Sequence, residues 1–213
     1  MMGLIKKDFL LMKKQQIFFM LAIFLGLSLV IGFEEPLGGI FASSMLTATL
    51  ATTTIAYDDS NNGLAFLFTL PTTRKTYVWE KFLLTLLVSL LAVITVSIIL
   101  FPFHTKEFLS WNFLELGMLL IISILVPTIL ASFLIPINLK FGAERGRLIM
   151  VILFMLIGML GGILSEGTGV DFLTRYIGSI QPSILFVMYL FINAVIVGCS
   201  IMGSVRIINK KEF

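Results

Sequence analysis

Six long apolar runs constrain this chain more than any other feature of it. They cover about Ile17–Phe33, Leu37–Tyr57, Phe82–Phe103, Phe113–Ile137, Leu148–Leu164 and Ile180–Val205. Each approaches or exceeds the ~20 residues a helix needs to cross a ~30 Å hydrocarbon core. Lipid offers no partner to an unpaired backbone N–H or C=O, so such runs enter a bilayer as helices. The expected fold is therefore all-α, a polytopic membrane protein with six transmembrane helices in one domain over residues 1–213. Composition agrees: 58% of residues are hydrophobic, 13% are charged and the mean hydropathy is +1.06. Soluble domains carry ~25% charged residues. Six crossings leave roughly 90 residues, spread over seven connections and ends. That excludes a soluble enzyme, a nucleic-acid-binding domain, a disordered chain and a separate folded nucleotide-binding domain.

Charge gives the runs an orientation. Lys6, Lys7, Lys13 and Lys14 precede the first run, and Arg74, Lys75 and Lys81 lie between the second and third. Lys140, Arg145 and Arg147 lie between the fourth and fifth, and Arg206, Lys210 and Lys211 follow the sixth. Only Lys106 and Arg175 fall on the other side. The positive-inside rule places both termini in the cytoplasm. No Lys/Arg block exceeds two adjacent residues, so the net charge of +3 does not argue for a nucleic-acid partner. One cysteine, Cys199, excludes an intramolecular disulfide.

Two segments outside the runs carry organisation. Residues 1–16 read as an interfacial amphipathic helix. Leu4, Ile5, Phe9, Leu11 and Met12 share one face, and Lys6, Lys7, Lys13 and Lys14 the other, with Asp8 and Leu10 as exceptions. Such a helix lies in the membrane interface with its lysines toward anionic headgroups. Residues 58–81 form the longest connection on the basic side. Asp58, Asp59 and Ser60 are helix-capping types. Leu64, Leu67 and Phe68 then share a stripe at i, i+3 and i+4. Pro71 ends this short helix by disfavouring helix at Leu70. Thr72 or Thr73 caps the next helix, which places Trp79 at the interface. Leu64, Phe66, Leu67, Phe68 and Leu70 are expected to stand uncovered, a sign of a contact surface for a partner.

Within the runs, the Thr-rich stretch Thr47–Thr54 suggests a face turned toward protein. Small-residue pairs at Ser28/Gly32, Gly158/Gly162 and Ala194/Gly198 suggest close helix packing, and Pro127 and Pro136 a kink or early end in the fourth run. No phosphate-binding loop, metal-ligand pair or nucleophile motif is present. The middles of all six runs lack Asp, Glu, Lys, Arg and His, whereas ion-coupled carriers place such groups there.

The stretch Tyr57–Leu83 joins an acidic, Gly-containing segment (Asp58, Asp59, Asn62, Gly63) to the turn Thr69-Leu70-Pro71-Thr72-Thr73-Arg74-Lys75 and then Glu80-Lys81. Together with the N-terminal Leu4-Ile5-Lys6-Lys7-Asp8-Phe9 run and the six spans, it resembles bacterial ABC-2-type transporter permeases. The small permeases of the phenol-soluble-modulin exporter and lantibiotic-immunity type are similar in size and pattern.

The resemblance implies one of two membrane subunits, paired as a homo- or heterodimer in a bacterial plasma membrane with cytoplasmic ABC ATPase subunits. ATP and Mg would be held by the partner ATPase, with no cofactor, metal or catalytic residue on this chain. Within the cytoplasmic coupling segment 58–81, Asp58–Leu70 would be the coupling helix that docks on the ATPase, and the segment's partner interface would comprise Asp58, Asp59, Asn62, Gly63, Leu64, Phe66, Leu67, Phe68, Leu70, Pro71, Arg74 and Lys75. Lys6, Lys7, Phe9, Lys13 and Lys14 would mark the interfacial helix. Export of an amphipathic or hydrophobic substrate, such as a cytolytic or antimicrobial peptide, fits uncharged spans. An ATP-independent immunity or assembly protein that binds a membrane-active peptide, and a stand-alone channel or carrier, are the alternatives.

Overall fold

The computed structural model describes residues 2–33, 36–59, 63–69, 72–105, 111–166 and 181–211. Among them are seven helices: α1 Met2–Lys14, α2 Gln16–Phe33, α3 Pro36–Asp59, α4 Gly63–Thr69, α5 Arg74–Leu100, α6 Phe113–Glu166 and α7 Pro182–Lys210. The chain is all-helical over these residues, as its apolar periodless runs demand. Local chemistry sets several ends. Pro36 and Pro182 open α3 and α7, where a missing N–H costs nothing. The Thr73 side chain accepts the Thr76 N–H and caps α5. Lys13 and Lys14 close α1, where cations suit the helix dipole.

Among the described residues, four helical segments are long and apolar enough to cross a membrane: α3, α5, the Phe113–Gly142 arm of α6, and α7. The α1–α2 pair, bent by 74°, makes a fifth if taken as one crossing. The run expected at Leu148–Leu164 falls in the second arm of α6, which is helical through Glu166. The two prolines do not end the fourth span. α6 runs through Pro127 and Pro136 and breaks only at Gly142, where φ is 77° and ψ 178°. That backbone region is open almost only to glycine.

Both chain ends gather at one end of the bundle. Lys7 of α1 meets Asp58 at the end of α3, Lys211 meets Asp59 at 2.7 Å, and Arg74 donates to the carbonyls of Ile208 and Asn209. Gly142 sits there too, since a Cβ on it would lie 2.9 Å from Asp59 Oδ2. At the opposite end, Trp111 and Glu115 share a cavity with Pro182.

α3 is the central helix, packed against α2, α5 and α6. As its Thr content predicts, Ser43, Ser44, Thr47, Thr52 and Thr54 are buried. Their hydroxyls donate to carbonyls one turn back in α3 itself. Among the described residues, the closest helix approach lies at Gly26 and Gly39. A Cβ on Gly39 would lie 2.2 Å from Val30 Cγ2 and 2.6 Å from the Gly26 carbonyl oxygen, so α2 and α3 cross there almost backbone to backbone. Ser28 is exposed, and nothing lies within 4 Å of a Cβ placed on Gly198. Gly32, Gly158 and Gly162 carry no described surroundings.

Candidate functional site

The end of the bundle that collects both termini also collects charge. Asp8 from α1, Asp58 from α3, and Tyr77, Glu80 and Lys81 from α5 are all buried. Lys81 Nζ pairs with Asp8, lies 2.9 Å from Asp58 Oδ2 and donates to Thr54 Oγ1 at 3.0 Å. Lys7 closes the other side, pairing with Asp58 and standing 3.1 Å from Asp8 Oδ1. The Tyr77 hydroxyl donates to Asp58 Oδ2 at 2.9 Å, and Lys81 Nζ lies 5.0 Å from the centre of its ring. A buried charge is tolerable only when it is paired and hydrogen-bonded, and here two cations interleave with two carboxylates. Glu80 is the third carboxylate. Its Oε2 is 3.8 Å from Lys81 Nζ, and neither of its oxygens has a hydrogen-bond partner among the described residues.

This network corrects two expectations. Asp58 does not cap a helix; it lies in the last turn of α3, nearly enclosed, and ties α3 to α1 and α5. The amphipathic helix α1 does not turn its whole apolar face one way. Leu4, Asp8 and Met12, spaced at i, i+4 and i+8, face inward, while Phe9 and Leu10 face out. Asp8 was an exception to the pattern because Lys81 waits for it inside. Of the lysines on α1, Lys7 joins the network, whereas Lys6, Lys13 and Lys14 remain exposed.

The apolar stripe expected to be bare is largely covered by the chain itself. Leu64 is 2% and Leu67 6% exposed, and both sit in a cluster with Leu4, Ile55, Tyr77, Val78, Phe82, Ala131, Ile135, Leu139, Ile201 and Ile208. Phe68 packs against the same cluster, with its ring edge-on to Tyr77 at 5.8 Å. Seven residues with apolar groups at i, i+3 and i+4 bury one side and leave the other, and Phe66 holds the outer side at 71% exposed. Arg74 also turns inward. It holds the last carbonyls of α7 and lies 5.7 Å from the Phe68 ring centre. Asp59 pairs with Lys211, Gly63 is half-buried against the Asp58 carbonyl, and Lys75 is exposed. Asn62, Leu70 and Pro71 lie outside the described residues.

Sequence reasoning missed the roles of Asp8, Tyr77, Glu80 and Lys81. Two signals were there to use. An acid interrupts an otherwise apolar helix face at Asp8, and a charged pair, Glu80-Lys81, directly abuts the apolar run that opens at Phe82.

Long apolar helices, with a buried network of ion pairs at one end of the bundle, define a multi-pass helical membrane protein. A family model described as ABC-2 family transporter protein matches residues 3–209, and the chain belongs to that family. It is thus a permease subunit of an ABC transporter, a transport component rather than an enzyme. No curated protein and no solved structure matches it.

Proposed function

We propose that this chain is the membrane subunit of an ATP-driven exporter in which α4 takes the stroke of a cytoplasmic ABC ATPase. The observation that carries this reading is how α4 is seated. Its inner side, Leu64 and Leu67, belongs to a core cluster with members from α1, α3, α5, α6 and α7. Its outer side presents Phe66 at the end where the basic residues collect. A force on Phe66 therefore reaches five other helices through close-packed side chains, which transmit strain rather than absorb it. The ATPase would hold the ATP and Mg; this chain would supply the docking surface and the path.

Six crossings, with both termini on the cytoplasmic side, are the topology we infer. The near-end position of Gly142 and the far-end position of Pro182 support it, because the chain between them must traverse the bundle once more. The Lys/Arg distribution supports the orientation. We place the chain in a bacterial plasma membrane, paired with a second permease subunit, a reading that family membership supports. As cargo we favour an amphipathic or hydrophobic peptide, since the span middles carry no ionisable group to bind a hydrophilic solute.

Co-purification tests the docking claim. The tagged chain, isolated from membranes of its own source, is expected to bring an ATPase with it. Phe66→Asp should remove that ATPase while the permease stays monodisperse and folded. Undiminished ATPase recovery with Phe66→Asp would overturn the assignment of α4 as the coupling helix.

A further inference from the structure

We propose that the cleft between α1, α2 and α5 binds one anionic phospholipid, its phosphate held between Lys6 and Lys13 and an acyl chain laid along the floor. The inference rests on the chain lying in a bilayer and does not depend on the role of α4. The cleft has a volume of about 580 Å³, within the ~300–1,000 Å³ of small-molecule sites. Phe19 and Ile23 from α2 and Val88 and Leu91 from α5 line it, so its depth suits only an apolar occupant.

The rim has the opposite character. Lys6 and Lys13 stand seven residues apart on one face of α1, about 10 Å along the helix. Neither has an ion-pair partner among the described residues. The reason lies on the other side of α1: Asp8, its only acid, is turned inward onto Lys81. The charges on the outward face of α1 are thereby all cations, Lys14 included. An occupant must then be anionic where it meets α1 and apolar beneath, which is the chemistry of an acidic phospholipid. Basic pockets between membrane helices hold such headgroups. The cleft opens sideways past exposed Leu10, Met20 and Leu91, toward where lipid lies, so a lipid can enter without crossing the bundle.

The test is native mass spectrometry of the purified chain, titrated with phosphatidylglycerol and with phosphatidylcholine of the same acyl chains. One tightly retained phosphatidylglycerol is expected, with phosphatidylcholine held far more weakly. Lys6→Gln with Lys13→Gln should weaken retention about thirtyfold, from the contribution of two basic residues near an anionic lipid. Thr95→Phe, at an exposed position lining the cleft, keeps every charge and should also lose the lipid by filling its place. Arg206→Gln with Lys210→Gln, which removes two cations outside the cleft, should leave retention unchanged. Equal retention of both lipids, or an equal loss in the Arg206/Lys210 variant, would overturn the proposal, as would full retention in Thr95→Phe.

Discussion

Lys81 and Asp8, 73 positions apart in sequence, form an ion pair that is 2% and 0% exposed. The pair fastens the interfacial helix α1 to the start of α5, and Asp58 and Lys7 extend the fastening to the end of α3. α1 is thus a structural member of the bundle and not only an anchor on the membrane surface. A Cβ on Gly63, the first residue of α4, would lie 2.7 Å from the Asp58 carbonyl oxygen, so the network abuts the start of α4.

Removing one member should be costly. Lys81→Met leaves Asp8 and Asp58 as buried carboxylates with only Lys7 between them. Breaking a buried pair this way costs ~3–5 kcal/mol. Purified Lys81→Met is expected to unfold at markedly lower denaturant than the native protein. The double variant Asp8→Leu/Lys81→Met should regain much of that loss, since Asp58 keeps Lys7 and Tyr77. A single variant as stable as the native protein would mean the network is not holding α1.

The two sides of α4 should respond differently to the same substitution. Leu67→Asp puts a carboxylate into the core cluster and should destabilise the whole bundle. Leu67→Ala should cost ~2–5 kcal/mol through lost contacts and the cavity left behind. Phe66→Asp changes a residue that is 71% exposed and should leave the unfolding curve of the isolated chain unchanged. Unfolding measured on the three variants side by side checks this. Comparable destabilisation by Phe66→Asp would mean that α4 is seated the other way round.

The apolar runs and the Thr-rich second run made the helices and the buried role of α3 legible, because both rest on local pattern and on the energetics of lipid. The short helix before Pro71 and the Thr73 cap were legible for the same reason. Partner choice was not. Whether Leu64 and Leu67 meet an ATPase or Ile135 and Ile208 depends on how distant helices come together, and a stripe at i, i+3 and i+4 looks the same in both cases. The buried pairing of Asp8 with Lys81 was hidden likewise, since a single acid on a helix face does not name its partner. The α2–α3 crossing carries small-xxx-small spacing in both helices, Ala22/Gly26 and Gly39/Ser43, but small residues recur along the apolar runs and the spacing does not say which helices meet.

That crossing gives a contrast among glycines. Gly39→Ala would place a methyl 2.2 Å from Val30 Cγ2 and 2.6 Å from a backbone oxygen, so α2 and α3 must separate. Overpacking of this kind costs ~1–3 kcal/mol. Gly198→Ala meets nothing within 4 Å and exchanges a flexible residue for a good helix former. It should be neutral or stabilising by up to ~1 kcal/mol. Thermal unfolding of the two variants in one detergent should order them with Gly39→Ala well below native and Gly198→Ala at or above it; the reverse order would contradict the crossing.

Gly142 tests the break in α6 by a different route. Its φ of 77° with ψ of 178° is a conformation that an L side chain adopts only under strain, about 1–3 kcal/mol. A Cβ there would also stand 2.9 Å from Asp59 Oδ2, a carboxylate already engaged by Lys211. Gly142→Ala is therefore expected to destabilise by more than a helix-interior Gly→Ala could, which would ordinarily stabilise. The disturbance should reach the chain end, because Asp59 would have to move away from Lys211. Protease cleavage at the C-terminus, compared between Gly142→Ala and the native protein, reads this directly. Faster trimming in the variant is the expected result. An unchanged trimming rate together with raised thermal stability would mean that α6 passes Gly142 as an unbroken helix.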